Sequence, residues 1–112
     1  MAKSDKEQLF RIAFLNHGKV YELFCTGVYS SSLLGFVEVS GLVFGENDSM
    51  LVDPTEEKMR DEFEGVEVLH LPMHSVLRVE QVKKKGKAII RDRESGENVT
   101  PFPIQPGSRN RL

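Results

Sequence analysis

The chain has 112 residues, of which 29% are charged and 39% hydrophobic, and its net charge is −2. That is enough for one domain with one modest core, and no run approaches the roughly 20 apolar residues that cross a bilayer. The single cysteine, Cys25, excludes an internal disulfide and a cysteine-based zinc site.

Residues 1–8 are polar and read as a flexible N-terminus. They lack the apolar centre of a signal peptide, so the expected location is cytoplasmic, without a membrane partner. Residues 9–15 read as a strand: Phe10, Ile12 and Phe14 alternate onto one face, with Arg11 opposite. Asn16, His17, Gly18 and Lys19 signal a tight turn, because glycine tolerates the positive φ required there. Residues 20–26 then form a partner strand, with Tyr21, Leu23 and Cys25 on one face. Ser30, Ser31 and Ser32 mark a loop or strand edge. A third strand is expected over 36–44, with Val37, Val39 and Val43 aligned; a turn follows at 45–48 and a short strand at 50–52.

Asp53 is a good helix N-cap, Pro54 suits the first helical position, and Glu56 is placed to close a capping box. Gly65 is the natural stop, which predicts a helix over 54–64. Its apolar stripe is thin, only Met59 and Phe63, so one edge packs and the rest of its surface is acidic. A strand over 66–71 is interrupted by Pro72, another resumes over 73–82, a turn follows at 83–86, and a last strand is expected over 87–91. Residues 92–112, rich in Pro, Gly, Ser and Asn, read as a flexible tail. The expected fold is mainly β (α+β). It is a single domain over 9–91, a small antiparallel, partly closed barrel or curled sheet of SH3/Sm-like type, with about six short strands and one short helix.

Charge is segregated along the chain. Residues 1–66 carry 12 acids and 6 bases, while residues 67–112 carry 9 bases and 5 acids. The basic run Lys83, Lys84, Lys85 and Lys87, extended by Arg91 and Arg93, has the composition of a phosphate-contacting segment, or of a hairpin that keeps a strand edge soluble. The acids of the helix, Glu56, Glu57, Asp61 and Glu64, offer either a solvated face or a docking face for a basic protein.

His70 and His74 are four apart across Pro72, too few ligands for a metal site by themselves, and His17 lies in the turn. Cys25 sits in an apolar strand as a small core residue. No phosphate loop, Ser/His/Asp arrangement or dinucleotide fingerprint occurs, so no catalytic residue, metal or cofactor is assigned.

The segments FLNHGKVYELF (14–24), SGLVFGENDSMLVDPTEEKMRDEFEGV (40–66) and LPMHSVLRVEQV (71–82) resemble a family of small bacterial proteins catalogued as domain of unknown function 1820. The resemblance spans roughly residues 10–91 and implies no assigned activity and no catalytic residues. A similarity of pattern alone, a strand–turn–strand near the start and a histidine-bearing strand late, links the chain to Sm-like barrels such as the bacterial RNA chaperone. Here the helix lies mid-chain instead of at the front. That similarity implies a small barrel and RNA binding.

The resulting expectation is a non-enzymatic binding or adaptor module, acting through charged surfaces on nucleic acid or on a protein. Exposed strand edges allow a homo-oligomer. Two alternatives stand beside it: an enzyme using His70 or His74 with the acids near Asp53, and a sensor holding a small apolar ligand near Phe24, Phe36 and Phe44.

Overall fold

A computed structural model describes residues 8–45 and 53–101. In chain order the elements are β1 (Phe10–Asn16), β2 (Lys19–Ser30), β3 (Phe36–Val43), α1 (Pro54–Glu62), β4 (Val68–Pro72), a 3-10 turn (Met73–Ser75), β5 (Val76–Gln81) and β6 (Ile89–Asp92). The strands form one antiparallel sheet in the order β4-β3-β2-β1-β5, with β6 also on β2. The expected strand over 50–52 lies outside the described residues.

The first hairpin follows from its turn. His17 and Gly18 both adopt positive φ, 54° and 79°, which matches the twist of the flanking strands. Asn16 therefore pairs with Lys19, and the register runs without a break to Phe10 opposite Cys25. β2 is longer than residues 20–26. Residues 19–22 pair with β6 and residues 24–30 pair with β3, on the same edge. A strand with neighbours on both sides over most of its length continues through Gly27 and Val28, where composition alone suggests an end.

β4 and β5 stand at opposite ends of the strand order, yet only the 3-10 turn separates them. Its first residue, Met73, donates its N–H to the Gly35 carbonyl (2.8 Å), and Ser75 Oγ donates to the Pro72 carbonyl (2.8 Å). The sheet thus curls on itself, while β4 and β5 form no ladder with each other. The expected strand over 73–82 accordingly begins with a tight turn, because Pro72 supplies no N–H to carry the ladder on.

One face of the sheet holds the main core cluster. Ile12, Phe14, Tyr21, Leu23 and Cys25 from the hairpin pack with Val39, Leu71, Ala88 and Ile90, and Met59 of α1 closes the cluster. Ile12, Leu23, Cys25, Val39 and Met59 are completely buried. α1 begins as expected: the Asp53 side chain accepts the Thr55 N–H at 3.0 Å, and Pro54 occupies the first turn. It ends at Glu62, with Phe63 as C-cap and Gly65 at φ 84° beyond it.

The expected tail requires a correction at its start. β6 runs through Asp92, and the chain turns back so that the Val99 N–H donates to the Ile90 carbonyl (2.7 Å) and Asn98 bridges Arg91. Asp92 accepts the Ser95 N–H, and Gly96 takes φ 79°. Val99 packs on the core. An apolar residue seven positions past β6 gives this short return something to bury. Residues 102–112 lie outside the described residues, as do residues 1–7.

Candidate functional site

The two charge features of the sequence meet each other. Glu56 of α1 is 7% exposed. Its Oε1 accepts the Gly45 N–H (2.8 Å), and its Oε2 accepts the Ala88 N–H (2.9 Å) and the Lys85 ammonium (2.9 Å). One carboxylate thereby ties α1 to the exit of β3 and to the entry of β6. Burial works to raise its pKa, but the hydrogen bonds from Ala88, Gly45 and Lys85 more than offset this and hold it below the ordinary 4.5. The carboxylate reaches these partners instead of the Asp53 N–H, so the anticipated capping box does not form.

The basic run is partly consumed in the same way. Lys85 faces Glu56 and lies 5.6 Å from the centre of the Phe24 ring. Lys87 approaches Asp53 at 3.9 Å, and Arg91 contacts Glu22 at 2.6 Å. Lys83, Lys84 and Arg93 are exposed and have no ion-pair partner among the described residues. Of the six bases expected to contact phosphate, Lys85 and Arg91 are thus engaged by acids of this chain, while Lys87 is only loosely paired.

The helix acids divide differently. Glu56 turns inward, while Glu57, Asp61 and Glu64 remain exposed. Asp61 and Glu64 border an open groove of about 660 Å³ between the end of β3 and the C-terminal end of α1. Leu42, Phe44, Phe63 and Val66 supply its apolar lining. Glu67 adds a third acid. The one base there among the described residues, Arg60, directs its guanidinium to the Gly45 carbonyl. The rim is therefore negative around an apolar centre. Sequence reading located Asp61 and Glu64 but missed the lining. Phe44 and Phe63 are 19 positions apart, and only the fold of α1 against β3 joins them.

The remaining residues singled out from sequence fall apart as a site. His70, half-buried in β4, shares a hydrogen bond with Ser31 Oγ at 2.8 Å. His74 is exposed in the 3-10 turn. Among the described residues no three His, Cys, Asp or Glu side chains gather to hold a metal ion. Cys25 is fully buried, and burial pushes its thiol up to about 11, opposite to what a nucleophile needs. The three phenylalanines of the sensor alternative also separate. Phe24 is 2% exposed with Gly86 against its ring, Phe44 lines the outer groove, and Phe36 starts β3 at its other end.

A family model described as Domain of unknown function (DUF1820) matches residues 8–104. The chain belongs to this family. The match covers every described strand of this DUF1820 chain, α1 and both sides of the groove. No curated protein and no solved structure matches it. No helix among the described residues is long and apolar enough to cross a membrane.

Proposed function

We propose that this DUF1820 chain is a non-enzymatic docking module that receives a protein segment carrying apolar and basic side chains. The observation behind this reading is the contrast between its two charged regions. Two of the exposed helix acids, Asp61 and Glu64, border an apolar groove, whereas Lys85 and Arg91 of the basic run are engaged within the fold. Burying the lining of Leu42, Phe44, Phe63 and Val66 supplies the driving force, at about 25 cal/mol per Å² of apolar surface. Asp61, Glu64 and Glu67 select Lys and Arg on the partner and steer its approach. The groove is open, which suits a peptide segment better than an enclosed small molecule.

The nucleic-acid alternative has less behind it, because Lys85, Lys87 and Arg91 already face acids. The enzyme alternative, His70 or His74 with the acids near Asp53, has less behind it too: His70 is tied to Ser31 Oγ, and His74 stands exposed in the 3-10 turn.

The test is fluorescence anisotropy with short labelled peptides. One set combines apolar residues with lysine or arginine, a second replaces the bases with glutamate, and single-stranded RNA serves as a third probe. Saturable binding of the first set and not the second, weakened by salt and lost in an Asp61→Lys/Glu64→Lys variant, is the expected result. RNA binding without peptide binding contradicts the proposal. Concentration-dependent self-association that protects the groove would replace the foreign partner with a second copy of the chain.

A further inference from the structure

The face of the sheet opposite the core cluster carries a second feature, independent of the groove beside α1. In an antiparallel ladder, paired residues share a face. Arg11 pairs with Glu80, Ala13 pairs with both Arg78 and Glu22, and Arg91 pairs with Val20. These side chains therefore lie on the face opposite Ile12, Phe14, Tyr21 and Leu23. Together with Leu77 they line an open, polar groove of about 500 Å³. Ala13, the smallest side chain on β1, lies at its base.

Three guanidinium groups meet there against two carboxylates. Glu80 Oε1 takes both Nε and Nη2 of Arg11, at 2.7 and 2.6 Å. Glu22 Oε2 takes Nη2 of Arg91, at 2.6 Å. Each guanidinium has five N–H donors. Arg11 and Arg91 are thus held in place by one edge, and their other donors have no side-chain acceptor among the described residues. Arg78 is held least: its nearest acid, Glu80, is 3.9 Å away, beyond hydrogen-bond length, and its side chain is 70% exposed.

We propose that this groove binds a phosphate group. Three guanidinium forks lining one groove suit the many acceptor oxygens of a phosphate, which Lys ammonium groups on flexible stems do less well. The positive excess is a single charge, and Glu22 and Glu80 oppose an anion. Binding is therefore weak and falls steeply with salt. The phosphate can come from a free nucleotide or from a nucleic-acid backbone, and the experiment separates the two sources.

The full-length chain is titrated with inorganic phosphate, with a nucleoside 5′-monophosphate and with a single-stranded oligonucleotide. Amide and guanidinium resonances are followed by NMR, with chloride matched for ionic strength. Saturable shifts at Arg11, Ala13 and Arg78 are expected with phosphate and not with chloride. Arg78→Gln, at an exposed position that does not threaten folding, is expected to weaken binding about tenfold, while Lys83→Gln leaves it unchanged. Tighter binding of the mononucleotide than of phosphate assigns a nucleotide ligand. Tighter binding of the oligonucleotide, still weakened by Arg78→Gln, assigns a backbone. Chloride shifts equal to phosphate shifts, or binding indifferent to Arg78→Gln, overturn the proposal.

Discussion

The acidic helix and the lysine-rich segment look alike in sequence, as two short runs of one sign, and the fold treats them differently. In the helix Glu56 is buried and takes three donors, and Glu62 accepts from the Tyr21 hydroxyl and Asn16 in the sheet, while Glu57, Asp61 and Glu64 stay in water. In the basic segment Lys85, Lys87 and Arg91 are matched to acids, and Lys83, Lys84 and Arg93 are not matched among the described residues. A run of charge is thus a mixture of fastening and display. Position relative to the core separates the two roles, because a buried charge persists only with partners.

The sharpest way to break this comparison is within the helix itself. Glu56→Ala leaves the Gly45 and Ala88 N–H groups and the Lys85 ammonium without their acceptor, and about 3 kcal/mol of stability should be lost in a urea titration. Glu57→Ala, one residue away and exposed, should change stability by less than about 0.5 kcal/mol. Equal effects would show that Glu56 does not fasten α1 to the sheet.

Acid should reproduce part of the first effect. The folded pKa of Glu56 is depressed, so its contribution is present above the ordinary value of 4.5 and is lost as pH falls through the lower folded value. Thermal melts of wild type and Glu56→Gln should converge in that acidic window, with the difference largest near neutrality.

Smaller effects sharpen the basic side. Lys85→Ala removes one of the three donors to Glu56 and the contact with the Phe24 ring, and should cost roughly 1–2 kcal/mol. Lys87→Ala should cost less than about 0.5 kcal/mol, since its pair spans 3.9 Å in solvent. Lys84→Ala should be silent in the same assay. A melt in which Lys84 matters as much as Lys85 would remove the distinction drawn here.

Much of the fold is legible in the sequence. Phe10, Ile12 and Phe14 alternate without exception, His17-Gly18 names its turn, and Asp53-Pro54 names a helix start, because each of these is governed by near neighbours in the chain. The extension of β2 through Val28 was not legible, since it depends on β3 pairing beside it. Nor was the return of Val99 to Ile90. The inward turn of Glu56 was hidden because its partners lie 11, 29 and 32 residues away. Asp61 and Glu64 could be named from sequence as displayed acids, but not the apolar groove they border. Arg11 and Arg78 escaped notice because only the strand register sets them beside Ala13.

The most direct measurement is an NMR titration of the full-length chain with a basic, apolar peptide selected for binding. The account predicts shifts concentrated at Leu42, Phe44, Phe63 and Val66, absent in the Asp61→Lys/Glu64→Lys variant. Shifts confined to Lys83, Lys84 and Arg93, with the residues beside α1 unmoved, would contradict it.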